Sequence, residues 1–175
     1  SRSILRLGVA LLGMRITFEQ LQSLGVGPLL LTVLAVASTI CVGWLLSRAA
    51  RLDAAFGVLT GGAVAICGAS AALAIAAVLP KGPHHERDTV MTVVAVTALS
   101  TVAMIIYPLI AHTLGFDSHT AGIFLGATIH DVAQVVGAGY SVSAQAGDTA
   151  TVVKLFRVAL LLPAIQRAGE AARRA

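Results

Sequence analysis

The feature that most constrains this chain is where its charges are missing. Segments 27–47, 56–79 and 90–111 contain no Asp, Glu, Lys or Arg and consist mainly of Ala, Val, Leu, Ile and Gly. Crossing the hydrocarbon core of a bilayer takes about 20 mostly apolar residues, and these three segments have that length. Segments 120–141 and 149–166 are apolar with ionisable residues embedded in them. A first segment, 4–18, is weaker, because Arg6 and Arg15 leave only Leu7 to Met14 free of charge. The runs are too long for membrane strands and do not alternate with period two. Across 175 residues, 57% are hydrophobic and 11% charged, where a soluble domain carries about 25% charged residues. That deficit excludes a water-covered globule, and the apolar content excludes a disordered chain. The expectation is an all-α fold: a polytopic transmembrane helical bundle, with residues 1–175 forming one domain.

The formal net charge of +4 does not point to nucleic acid, because the basic residues form no patch and fall mainly at segment edges. Excess Lys and Arg mark the cytoplasmic side of membrane helices. If every segment crosses fully, Arg2, Arg48, Arg51, Arg167, Arg173 and Arg174 share one side, and Lys81 and Arg87 fall on the other. The first side is therefore expected to be cytoplasmic. The Lys81–Asp88 loop would join that side if 56–79 were a re-entrant hairpin; the favoured expectation is a full crossing. Cys41 and Cys67 sit inside apolar runs, which argues against a disulfide framework. Nothing reads as a signal peptide, and the chain reads as beginning within a longer protein.

Three segments carry residues with chemistry. From Gly61 to Ile75 the sequence is GGAVAICGASAALAI. Its glycines each weaken a helix by about 1 kcal/mol relative to Ala, and Ser70 is a helix N-cap residue type just after the last of them. A break here would leave a half-helix starting near Ser70, and half-helix N-termini bind anionic groups in transporters. The other reading is an unbroken helix whose glycines only allow close packing. From Gly126 to Tyr140 the sequence is GATIHDVAQVVGAGY. On a continuous helix, Thr128, His130, Asp131 and Gln134 share one half of the wheel, opposite Ile129, Val132, Ala133 and Val136. Ionisable residues at such depth face a bundle interior or a wet cavity and mark ion or substrate paths; a structural polar cluster is the alternative. Lys154 and Arg157 are three apart and share a helix face, where they either neutralise Asp131, leave a positive anion site, or snorkel to the interface. His130–Asp131 lacks the further ligands of a metal-dependent hydrolase, and His84, His85 and Glu86 form a short polar loop. No nucleophile-elbow, zinc-protease or phosphate-loop pattern occurs.

Four stretches together are recognisable: LRLGVALLGMRITFEQL (Leu5–Leu21), ICGASAAL (Ile66–Leu73), GATIHDVAQVVGAG (Gly126–Gly139) and VVKLFRVALLLP (Val152–Pro163). In this order they resemble the YeiH-type family of bacterial inner-membrane proteins, named as sulfate exporters. The resemblance implies a longer protein with helices on both sides of this region. It also implies an inverted-repeat transporter related to the bile-acid and arsenite transporter group. The family lacks the polar end that follows Pro163 here (QRAGEAARRA), so the resemblance is to a fragment or truncated copy.

Residues and resemblance together lead us to expect a multi-pass protein of the bacterial inner membrane that transports a small anion, sulfate or a sulfonate, with ion or proton coupling. Gly68, Ser70, Thr128, Gln134 and Arg157 are the expected substrate-binding residues. His130, Asp131 and Lys154 are the expected coupling residues. No enzymatic activity, metal or cofactor is expected. The expected partners are the anion, the bilayer and a coupling cation or proton, with a second copy of the chain left open and nucleic acid excluded. Two rivals stand beside this: an intramembrane hydrolase using His130 and Asp131, and a non-transporting helical fragment.

Overall fold

The computed structural model describes residues 26–161 and Gln166, so segment 4–18 and most of the chain beyond 161 lie outside the described residues. Within them every regular element is helical: α1 (Val26–Ala49), α2 (Ala54–Ala65), α3 (Ala69–Ala76), α4 (His85–Thr113), α5 (Ser118–Thr128), α6 (Val132–Val142) and α7 (Ala144–Ala159). Two of these, over Leu30–Ala49 and His85–Thr113, are long and apolar enough to cross a membrane. The 29 residues of α4 extend about 43 Å at 1.5 Å per residue. Leu30, Leu31 and Leu34 on α1 and Val94, Ile105 and Leu109 on α4 are exposed, as apolar side chains facing lipid would be.

Segment 56–79 does not run straight through. α2 ends at Ala65, and after Ile66–Gly68 the chain reverses and returns as α3. Leu59 and Ala63 of α2 share a core with Ala72, Ile75 and Ala76 of α3. At the other end Asp53 and Phe56 line one small cavity with Leu79, Pro80 and His84. The favoured full crossing is therefore corrected to a helical hairpin. A helix break is a local property of Gly68, but the direction taken afterwards is set by this apolar contact. The Lys81–Asp88 loop accordingly returns to the end of the molecule that holds Arg48 and Arg51.

Segment 120–141 is corrected in the same way. It is α5 and α6, separated by Ile129–Asp131, and Ser143 Oγ donates to Ser118 Oγ at the open end (3.0 Å). These two hairpins point at each other. α4 begins beside the open end of the first, passes Val96 near Gly68, reaches His130 and Asp131 with Ser100 halfway along, and ends just before the open end of the second. The hairpins thus enter from opposite ends of α4, and their tips meet at its middle.

Small residues let the helices approach closely. A Cβ on Gly43 of α1 would lie 2.7 Å from Gly61 Cα of α2, and one on Gly126 of α5 would lie 2.5 Å from the Ala150 carbonyl of α7. α7 begins at Ala144, earlier than the expected 149, because Ser143 is extended and its Oγ accepts from Ala146 N–H. It runs past both tips, and its far end (Val158, Leu160, Leu161) packs against Val36, Ile66 and Ala71.

Candidate functional site

The tips consist of two three-residue breaks in contact. Gly68 has φ 66° and ψ −123°, a backbone conformation that essentially only glycine adopts. Its missing side chain faces His130: a Cβ there would sit 3.5 Å from His130 Cβ and 3.7 Å from Val96 Cγ2. Asp131 is extended and caps α6, its Oδ1 accepting from Ala133 and Gln134 N–H at 2.9 and 3.2 Å. Ser100 Oγ of α4 accepts from the amides of His130 (3.3 Å) and Asp131 (3.1 Å). His130 Nδ1 donates to the Thr128 carbonyl (2.9 Å), so the neutral ring leaves Nε2 as an acceptor.

Each break strands carbonyls at the end of the preceding helix, and the fold satisfies them with side chains. In the first hairpin, Gly62 and Ala63 carbonyls accept from Ile66 and Gly68 N–H, which leaves those of Val64, Ala65 and Ile66. Lys154 Nζ donates to Ile66 (2.7 Å), Arg157 Nε to Ala65 (3.0 Å), and Arg157 Nη2 to Ala65 and to Val64 (3.4 Å). In the second hairpin, the same Lys154 Nζ donates to Ile129 (2.9 Å) and Arg157 Nη1 donates to Ala127. Two basic side chains thereby sit at the negative ends of two helix dipoles, the favourable position for a cation. Lys154 is 0% exposed and Arg157 5%.

The N-terminal ends differ. The first amides of α6 are capped by the Asp131 carboxylate, whereas α3 starts from Gly68, which supplies no side-chain cap. Its first backbone bond runs from Ala72 N–H to Gly68 O, so the amides of Ala69, Ser70 and Ala71 precede the intrahelical ladder. Ala69 is half-buried and Ser70 exposed. Gln134 Nε2 donates to Thr101 Oγ1 (3.0 Å), while Gln134 Oε1 is buried without a partner among the described residues.

The expected site residues therefore divide. Gly68, His130 and Asp131 meet at the tips, with Gln134 on the first turn of α6. His130 and Asp131 lie in the break itself, so no continuous polar half-wheel exists. Ser70 is not the N-cap of α3; Gly68 is, and the Ser70 hydroxyl donates to Cys67 Sγ (2.9 Å) and O (3.3 Å). Thr128 bonds back to the Phe124 carbonyl. Arg157, expected to bind substrate, is buried with its guanidinium engaged by backbone carbonyls. Lys154 likewise faces carbonyls of both hairpins. Ser100 and Thr101 went unnoticed in the sequence, since one serine in an apolar run carries no local signal. The Asp131 break did have one: Asp is a strong N-cap residue. Among the described residues no group of His, Cys, Asp and Glu is arranged to hold a metal.

This is an all-helical membrane-type architecture with two interrupted helical hairpins meeting tip to tip. The family described as conserved hypothetical protein 698 matches residues 1–167, and the chain belongs to it; the YeiH-type resemblance is the same family. A UPF0324 membrane protein of Chlorobaculum tepidum is 62% identical over 165 residues, 94% of this chain and 46% of that protein. A UPF0324 membrane protein of Rhizobium meliloti is 56% identical, with 94% and 48% covered. The UPF0324 membrane protein TauZ of Paracoccus pantotrophus is 55% identical, with 94% and 49% covered. The chain spans about half the length of these curated relatives. No solved structure matches it. The relatives and the apolar helices together make this a membrane protein.

Proposed function

We propose that this chain forms the anion-handling part of a polytopic transporter of the bacterial inner membrane, for a small anion such as sulfate or a sulfonate. The observation that carries the reading is the meeting of two interrupted hairpins halfway along a helix of bilayer length. α2 has 12 residues and α5 has 11, or about 17–18 Å each, roughly half of a 30 Å hydrocarbon core. The tips then lie near the bilayer midplane. Irregular backbone at that depth is tolerated only where protein buries it or a cavity receives it, and discontinuous helices of this kind form transporter sites. Ile66 and Ile129 are each the first residue of a break and each accepts from Lys154, which supports an inverted-repeat relation between the hairpins.

Charge supports an anion: two buried basic side chains stand against one carboxylate, Asp131, with the uncapped amides of α3 beside them. The Asp131 carboxylate, the Gln134 Oε1 that has no partner among the described residues, and His130 Nε2 supply the groups for a coupling cation or proton. Arg48, Arg51, Lys81 and Arg87 all belong to the open end of the first hairpin, beside Asp53, Glu86 and Asp88, while among the described residues the open end of the second, with Asp117 and Asp148, holds no Lys or Arg. The positive end is then cytoplasmic. Counterflow of labelled sulfate and of a labelled alkyl sulfonate into proteoliposomes of the full chain tests the proposal. Uptake driven by internal unlabelled anion is expected; absence of uptake for both anions, with correctly inserted protein, would refute it.

A further inference from the structure

The hydrogen bonds of Lys154 and Arg157 have a consequence beyond satisfying stranded carbonyls. Each side chain reaches both hairpins: Lys154 bridges Ile66 and Ile129, and Arg157 bridges Ala65 and Ala127. Both project from α7, which also packs along α5 through Gly126 and Ala150. We propose that Lys154 and Arg157 are positioning residues that clasp the two hairpin tips together, so that both tips and α7 move as one body. This rests on the transport reading for its functional meaning, since any access change must then occur around this body and not between the tips.

The geometry carries this further than a ligand role. The basic groups lie at the C-terminal ends of α2 and α5, whereas an anion is favoured at N-termini. Both are too buried to meet a ligand without first letting go of the carbonyls. Releasing either tip would leave backbone carbonyls without donors in a water-poor interior, which is strongly unfavourable.

Cys67 reports on the clasp. It lies in the first tip, between the clasped Ile66 and Gly68, and is 3% exposed. Cys41 is exposed and is the only other cysteine, so Cys41→Ala leaves a single thiol. In proteoliposomes of that variant, alkylation of Cys67 by N-ethylmaleimide is followed by mass spectrometry, with no anion present. Lys154→Met and Arg157→Gln are each expected to speed alkylation about tenfold or more, because protection of a buried group tracks the opening of its local structure. Arg157→Lys keeps the charge but has one donor group in place of the fork, so it should fall between wild type and Arg157→Gln. It also serves if the charge-removing variants fail to insert.

Unchanged protection of Cys67 in these variants would overturn the clasp. So would loss of anion counterflow in Arg157→Gln with Cys67 fully protected, which would put Arg157 on the anion instead. If wild-type protein shows no counterflow but the labelling follows the expected order, the transport reading fails and the clasp stands.

Discussion

Replacing Gly68 by alanine isolates the backbone conformation of the first tip from everything around it. Space is not the obstacle: the added Cβ would meet His130 Cβ at 3.5 Å and Val96 Cγ2 at 3.7 Å, both ordinary contacts. The obstacle is φ 66° with ψ −123°, which costs an L side chain on the order of 1–3 kcal/mol. That energy corresponds to about a 5- to 150-fold loss of the native tip relative to alternatives. Relief of that strain shifts the break away from this torsion and disturbs the start of α3, where the amides of Ala69–Ala71 follow Gly68. Gly68→Ala should therefore lower both the thermal unfolding midpoint in detergent and the affinity for the proposed anion, read with sulfate in titration calorimetry, the affinity by about thirtyfold at the middle of that range. Gly82→Ala is the control, since a Cβ there meets nothing within 4 Å and its φ is not positive; it should leave both quantities unchanged. A Gly68→Ala protein with wild-type midpoint and wild-type affinity would refute the argument that this torsion holds the tip open.

Other outcomes follow from the same geometry. Ser100→Ala removes the acceptor for His130 and Asp131 N–H; at about 1–3 kcal/mol for an unsatisfied buried group, the thermal midpoint should drop measurably, and an unchanged midpoint would mean those amides find another partner. Asp131→Asn keeps a good N-cap for α6 but removes the charge, so the protein should fold normally while counterflow loses its pH or cation dependence; retention of that dependence would reduce Asp131 to a cap. In a Cys41→Ala, Cys67→Ala background, Arg51→Cys and Lys81→Cys should label with an impermeant maleimide from the same side, the cytoplasmic one. Labelling from opposite sides would restore the straight crossing of 56–79.

What the sequence determined by itself is the class of structure. Charge-free runs dictate helices for lipid because backbone polar groups must be satisfied within the segment, and α1 and α4 follow from that alone. The glycines of 61–68 left a break open beside an unbroken, closely packed helix, since glycine weakens a helix wherever it sits, and the GATIHDVAQVVGAG stretch carried the family. The tertiary structure decided which way the chain turned after each break. Periodicity is the same for a helix that continues and for one that folds back, and only the contact of Leu59 and Ala63 with Ile75 and Ala76, far from any local signal, selects the hairpin. The wheel that grouped Thr128, His130, Asp131 and Gln134 assumed continuity through Ile129–Asp131, where the extended Asp131 interrupts it. Lys154 and Arg157 show the same division. Their spacing placed both on one face of α7, but their partners are backbone carbonyls of residues separated by as many as 93 positions, and a carbonyl has no residue type for a sequence to display.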